Sequence, residues 1–179
     1  RGVKRSILRS LQNTGYSLHV FPAGTLAEEI LEIKPQGLVV SNGPGNPDEL
    51  SEIADNISSL ISKLPILGIG LGHQLIALAA GAETYRLPFG HRGGNHPVQN
   101  KKTGKVAITI QNHGYAVSEE TLRRTGLEVL YTNLNDGTVE GLQYERHKIL
   151  TVQFHPQTVG EAAEHEEIFT LFNDMVKRG

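Results

Sequence analysis

Leu64-Pro-Ile-Leu-Gly-Ile-Gly-Leu-Gly-His-Gln-Leu-Ile-Ala-Leu-Ala-Ala80 is the stretch on which the fold turns. Its apolar start, Ile66 to Ile69, reads as a short buried strand. A glycine-rich turn follows, and then a helix with Leu75, Ile76, Leu78 and Ala79 on its apolar side. Strand, tight turn and helix in this order have the layout of a nucleophile elbow, which holds one residue over the N-terminus of a helix. Gly68 and Gly72 flank the tip and let the backbone pass without side-chain clashes. The tip itself is Gly70, which has no side chain with which to attack anything.

Outward from the elbow, the N-terminal half alternates helix and strand patterns. Val3, Ile7, Leu8 and Leu11 recur at helical spacing up to Asn13-Thr-Gly15. Ser17 to Phe21 reads as a strand, and Thr25 as the cap of a short helix from Leu26 to Ile33. Gly37 to Ser41 reads as a buried strand, and Leu50, Ile53, Ala54, Ile57, Leu60, Ile61 and Leu64 form an amphipathic helix. Such alternation implies a parallel sheet with helical crossovers. The second half changes character. Val106 to Gln111, Leu127 to Thr132, Thr138 to Tyr144 and Ile149 to Phe154 read as strands, with Asn135-Asp136-Gly137 as a turn. A last helix carries Ile168, Leu171, Phe172, Met175 and Val176 on one face.

The elbow segment GIGLGHQLIALAAGA resembles that of class I glutamine amidotransferases, whose pattern is G-x-C-x-G-x-Q. SNGPGNP (Ser41 to Pro47) resembles the loop that shapes their glutamine pocket. FGHRGGNHPV (Phe89 to Val98) and QNHGYAV (Gln111 to Val117) resemble, more specifically, the small glutaminase subunit of carbamoyl phosphate synthetase. VQFHP (Val152 to Pro156) resembles the segment with the catalytic histidine. The similarity covers nearly the whole chain. It implies an α/β fold, a flavodoxin-like, mostly parallel sheet flanked by helices with an added antiparallel section in the second half. Residues 1–179 would form one amidotransferase-like domain. The family's sheet opens with a strand before the first helix, and its proteins carry a further N-terminal domain. The expectation is therefore a sheet short of its first strand.

The resemblance also implies a chemistry. The family's thiolate attacks the side-chain amide of glutamine and releases ammonia, leaving a thioester that water cleaves. The ammonia feeds a large synthetase subunit, where ATP and bicarbonate are used, so no cofactor is expected in this chain. Of the Cys-His-Glu triad only His155 remains: Gly70 stands at the position of the nucleophile and Gln157 at that of the glutamate. The enzyme implied is the glutamine-hydrolysing carbamoyl phosphate synthase, of pyrimidine or arginine biosynthesis, in a chain whose nucleophile is absent. A non-catalytic glutamine-binding or partner module is the alternative. Gln157 can accept a hydrogen bond from the histidine but cannot neutralise an imidazolium, and Glu161 is a substitute carboxylate to be weighed. The residues matched to glutamine binding are Gly43, Gly45, Leu71, Gln74, Asn112, Gly114 and Tyr115, with the oxyanion site at the backbone N–H groups of Gly43 and Leu71. Read singly, Gln74 and Asn112 are equally ordinary helix and turn caps, Gly43-Pro44-Gly45 a tight turn, and His155 a buried structural histidine.

Composition sets the outer bounds. The chain has 179 residues, a formal charge of −2 and no cysteine, which excludes disulfides and cysteine-metal sites. No basic tract invites nucleic acid and no apolar run is long enough to span a membrane. The expected partners are L-glutamine and the large synthetase subunit, and the expected compartment is the cytoplasm. His91 and His96 in a glycine-rich loop and His113 in a turn raise the question of a metal, but no HExxH or paired-carboxylate pattern accompanies them, and none is expected. Gly68-Ile-Gly-Leu-Gly72 lacks the spacing of a dinucleotide loop.

Overall fold

The computed structural model describes residues 2–156 and 164–178, with side chains described outside 164–166. Among the described residues, seven strands form one mixed sheet: β1 (Leu38–Val40), β2 (Ile66–Ile69), β3 (Thr84–Asn100), β4 (Val106–Val117), β5 (Glu128–Asn133), β6 (Val139–Tyr144) and β7 (Ile149–Val152). Their spatial order is β1-β2-β7-β6-β5-β3-β4. β1, β2 and β7 are mutually parallel, and from β7 outward every pairing is antiparallel. Helices α1 (Arg5–Asn13), α2 (Ala27–Glu32), α3 (Ser51–Ser58), α4 (Leu71–Ala79) and α5 (Glu164–Lys177) accompany the sheet. This is the expected α/β class with its antiparallel section, but the sheet is mixed and not mostly parallel: among the described residues two pairings are parallel and four antiparallel, because the long β3–β4 hairpin, β5 and β6 all add antiparallel to β7.

The two faces of the sheet bury separate cores. Ile66 and Ile149 point into the layer made with α2, α3 and α4 through Ala27, Ile57, Leu71, Leu75 and Ile76. Their neighbours Leu67, Ile69, Leu150 and Val152 point to the other face, against Ile7 and Leu11 of α1 and Ile168, Phe169 and Phe172 of α5. The alternation of side chains along a strand explains why an unbroken apolar run serves both layers.

Three local expectations change. Leu26, not Thr25, occupies the N-cap of α2, where its backbone N–H donates to Glu29 Oε1 at 3.3 Å. The long amphipathic pattern over 50–64 resolves into a 3₁₀ turn at Pro47–Leu50, α3, and further turns. Its apolar positions Leu50, Ala54, Ile57, Leu60 and Leu64 are buried as the periodicity requires. Ser17 to Phe21 is not a strand. Among the described residues β1 pairs only with β2, and beside it lies a cavity of about 830 Å³ lined by Leu18, Val20, Val39, Ile57 and Phe172 among others. Strand structure requires a neighbour about 4.8 Å away, and across this gap residues 17–21 have none.

The segment read as a glycine-rich loop is a strand. β3 runs through Phe89 to Val98 as half of a long hairpin with β4, and the register shifts between Arg86 and His91 and again between Gly93 and His96. Gly90 and Gly93, with φ of 67° and 122°, supply the irregular turns of the bulged strand. His113 and Asn112 accordingly sit within β4 and not in a turn.

Glycines 68 and 72 let the elbow close. A Cβ on Gly68 would lie 2.6 Å from Ile76 Cδ1 and 2.9 Å from the Gly72 carbonyl oxygen. One on Gly72 would overlap the backbone carbonyl of Val40, holding α4 away from β1. Gly72→Ala should therefore cost about 3 kcal/mol, the upper part of the usual overpacking range. Gly24→Ala, where nothing lies within 4 Å, should be near neutral. Urea unfolding of the two variants measures the contrast.

Candidate functional site

The elbow forms at the C-terminal ends of the parallel strands, where open α/β sheets place their ligands. Gly70 leaves β2 with φ 58° and ψ −113° and is the N-cap of α4. Its N–H donates to the Val152 carbonyl oxygen at 2.8 Å, so the tip is tied to the end of β7. The first backbone N–H groups of a helix lack intrahelical partners, so those of Leu71 and Gly72 form a small positive field beside the tip. A Cβ built on Gly70 would lie 3.1 Å from Asn42 Cβ and 3.9 Å from the Gln153 carbonyl oxygen. A side chain there would thus stand between the loop after β1 and the loop after β7.

His155 lies in that second loop, held to β4 by a single antiparallel bridge with Ile110, to whose carbonyl its N–H donates at 3.1 Å. Its pKa is pushed down to about 4, first by burial and then by the positive charges of Lys4 and His113. The ring is therefore a neutral imidazole near pH 7. Among the described residues, its buried Nδ1 has no hydrogen-bond partner. Gln157 and Glu161 lie outside the described residues.

β4 carries three of the matched residues, Asn112, Gly114 and Tyr115, and ties the last to the elbow helix. Gln74, in the first turns of α4, reaches across to them. Its Nε2 donates to the Tyr115 carbonyl at 2.9 Å and to Gln153 Oε1 at 2.8 Å. Gln74 is 3 % exposed, so in this arrangement its amide braces α4 against β4 and the β7 loop. Asn112 is exposed and Tyr115 half-buried. Gly43 and Gly45 sit in the loop after β1, Gly45 with φ 120°, a conformation suited to glycine. Asn42, beside them, has a buried Oδ1 without a hydrogen-bond partner among the described residues.

Sequence reading passed over His73. It is buried in the elbow helix, with Nδ1 2.8 Å from Thr151 Oγ1. Its position one residue before Gln74 gave no signal apart from a polar residue in an apolar helix. Glu140 was also missed. It is fully buried in β6 and accepts from Gln111 Nε2 at 2.7 Å and Asn133 Nδ2 at 3.3 Å. His91 lies 3.3 Å from it and 2.8 Å from Asp136. The Glu140 carboxylate beside it raises the His91 pKa, against the opposing effect of burial.

The model of the class-I glutamine amidotransferase family matches residues 1–175. The chain belongs to this family. It is 49% identical to the carbamoyl phosphate synthase small chain of Bacillus cereus over 176 residues, 98% of this chain and 48% of that one. The small chains of Staphylococcus epidermidis and Fusobacterium nucleatum are each 46% identical over the same extent. The chain thus spans about half the length of the curated relatives it matches. A solved GMP synthase chain from Thermoplasma acidophilum superposes with a TM-score of 0.79 over 95% of this chain and 86% of its own. At 23% identity it shows the shared amidotransferase fold. Among the described residues, no helix is long and apolar enough to cross a membrane.

The buried histidine of the elbow helix makes the fold pH-sensitive. Burial first, and the His113 charge second, push the His73 pKa down to about 3. Its folded pKa lies below its unfolded one, so its stabilising contribution is complete above pH 6.5 and is lost as the pH falls towards 3. The expected loss from this one group is about 2 kcal/mol between pH 7 and pH 5. Urea unfolding at both pH values should show that increment in the parent chain and not in His73→Gln.

Proposed function

We propose that this chain is the glutamine-binding domain of a carbamoyl phosphate synthase small chain in which hydrolysis is disabled. The observation that carries the reading is the backbone at Gly70: the tip keeps the conformation of an attacking residue, φ 58° and ψ −113°, and presents no atom that attacks. In the working family reaction a thiolate adds to the amide carbon of glutamine, ammonia departs with a proton from the histidine, and water then cleaves the thioester to glutamate. Here the binding elements persist without the first step. The N–H groups of Gly43 and Leu71 would hold the amide oxygen, and Gly45, Gln74, Asn112, Gly114 and Tyr115 would form the pocket walls. His155 remains beside the tip as a neutral base, with Gln157 in place of the triad carboxylate.

The partner in this reading is the large synthetase subunit, which would use ATP and bicarbonate, with the assembly in the cytoplasm. No cofactor is assigned to this chain for the reaction. Gln157 in place of the triad carboxylate favours the second reading, a non-catalytic glutamine-binding module, over a slow hydrolase. A neutral amide can orient an imidazole but does not stabilise its cation; the serine-protease precedent puts the loss of such a carboxylate at about 10⁴ in turnover.

The cavity beside β1 supports a matching view of the domain. Its apolar walls and the unpaired edge of β1 suit one further parallel strand between β1 and residues 17–21. A strand of that kind, supplied by a longer protein like the relatives, would complete the sheet. A version carrying such a strand should bind less of an apolar fluorescent dye and melt at a higher temperature. Unchanged dye binding and melting would count against this view.

Ammonia release tests the central reading. The chain as it stands should bind glutamine in calorimetry and release no ammonia above background. Gly70→Cys should acquire a thiol alkylated by a glutamine-like electrophile, and Gly70→Cys with Gln157→Glu should turn over faster than the single variant. Parent activity at the level of the double variant would overturn the proposal.

A further inference from the structure

Beyond the glutamine pocket, on the sheet's antiparallel section, His91 of β3, His113 of β4 and Glu140 of β6 converge. One donor atom from each lies within 4.8 Å of the other two. Their side chains are 10 %, 7 % and 0 % exposed. Nδ1 of His91 stands 3.3 Å from Glu140 Oε1, and Nε2 of His113 stands 3.8 Å from the same oxygen. Both ring nitrogens are buried without a hydrogen-bond partner among the described residues.

The far side of each ring explains why these nitrogens face inward as lone pairs. Nε2 of His91 is 2.8 Å from Asp136 Oδ2, a carboxylate that accepts only. Nδ1 of His113 is 2.8 Å from the Tyr115 carbonyl oxygen, also an acceptor. Each ring therefore carries a proton on its outer nitrogen. Two imidazole lone pairs are then aimed at a carboxylate that already accepts from Gln111 and Asn133. Acceptors do not attract acceptors. One added proton satisfies one of the two contacts and leaves the other lone pair against lone pair; a cation at the centre satisfies both.

We propose that His91, His113 and Glu140 form a binding site for a divalent transition-metal ion of the zinc class. Two nitrogens and one carboxylate oxygen are a donor set that suits zinc. Donors on a tetrahedral zinc at about 2.0–2.1 Å stand about 3.3 Å apart. The separations from Glu140, 3.3 and 3.8 Å, are near that spacing, and the whole set, within 4.8 Å, would draw in around the ion. Water completes the fourth position. The outer shell is built in the same pattern as in known sites, with each ligating imidazole donating its other N–H to a carboxylate or a backbone carbonyl.

The ion would act as a brace. The Tyr115 carbonyl accepts from both His113 Nδ1 and Gln74 Nε2, so the metal ligand and the elbow helix share one backbone oxygen. Fixing His113 fixes that oxygen, and with it the place where α4 meets β4. The inference stands apart from the glutamine reading, since it needs neither a nucleophile nor a bound substrate.

The test is metal content and spectroscopy on the whole chain. After equilibration with Zn²⁺ and dialysis, the protein should retain one equivalent by elemental analysis and melt at a higher temperature than the chelated form. Co²⁺ in its place should give the intense visible bands of a tetrahedral ion with nitrogen and oxygen ligands. His91→Asn and His113→Asn should each weaken Zn²⁺ binding by more than about 100-fold, and Asp136→Asn, one shell out, by about 10- to 100-fold. His19→Ala, on an exposed histidine, should bind as the parent does. Retention below half an equivalent, octahedral cobalt spectra, or binding that survives both ligand substitutions would overturn the site. The cobalt spectrum of the unaltered chain decides the matter even if a variant fails to fold.

Discussion

At Gly70 the chain turns from β2 into α4 with a positive φ while its N–H is tied to the end of β7, and the rest of the site hangs from that bend. The turn closes only because Gly68 and Gly72 have no Cβ: the first position faces Ile76 and Thr151, the second the backbone of Val40. Helix and strand therefore approach to within backbone contact. This close approach aims the free N–H groups of α4 at the loops after β1 and β7. It also places Gln74 where it can span to β4. Loosening the contact would separate all of these groups together.

A second layer of order lies behind the bend. The polar groups buried along β4, β6 and β7 are linked in chains: Gln74 to Gln153 and Tyr115, Tyr115 to His113, and Gln111 to Glu140. An unpaired buried polar group is costly, so such chains specify register as much as they stabilise it. Nearby, burial depresses the pKa of His155 most strongly, with Lys4 and then His113 adding to it. The neutral histidine at the tip and the histidine-carboxylate cluster behind it are parts of one electrostatic arrangement.

In the proposed reading the family's chemistry and this chain part at two positions, Gly70, which offers no sulfur, and Gln157, which stands where the carboxylate would be. A glycine accepts the backbone conformation of an elbow freely, so the bend survives the loss of its side chain. The oxyanion donors are backbone groups and are indifferent to the same loss. In the proposed reading, what disappears is the attacking thiol and the carboxylate behind the histidine, while the backbone donors remain. A scaffold of this kind can keep a ligand pocket while giving up turnover, because pocket and nucleophile rest on different atoms.

The sequence by itself determined the elbow with Gly70 at its tip and Gln74 in its helix, the alternation that yields two-faced strands, and the apolar faces of α1, α3 and α5. These are local patterns, and local periodicity carries them. Only the tertiary structure decided that Ser17 to Phe21 is no strand, because pairing needs a neighbour that the residues themselves do not supply. It likewise decided that the glycine-rich stretch from Phe89 to Val98 is a strand, since its glycines and histidines alternate with nothing and gain order only from β4. Glu140 is the sharpest case. In sequence it is one acidic residue in a short strand, far from His91 and His113. Its role exists only where three strands place a carboxylate and two imidazole lone pairs around one point, and no spacing along the chain encodes that distance.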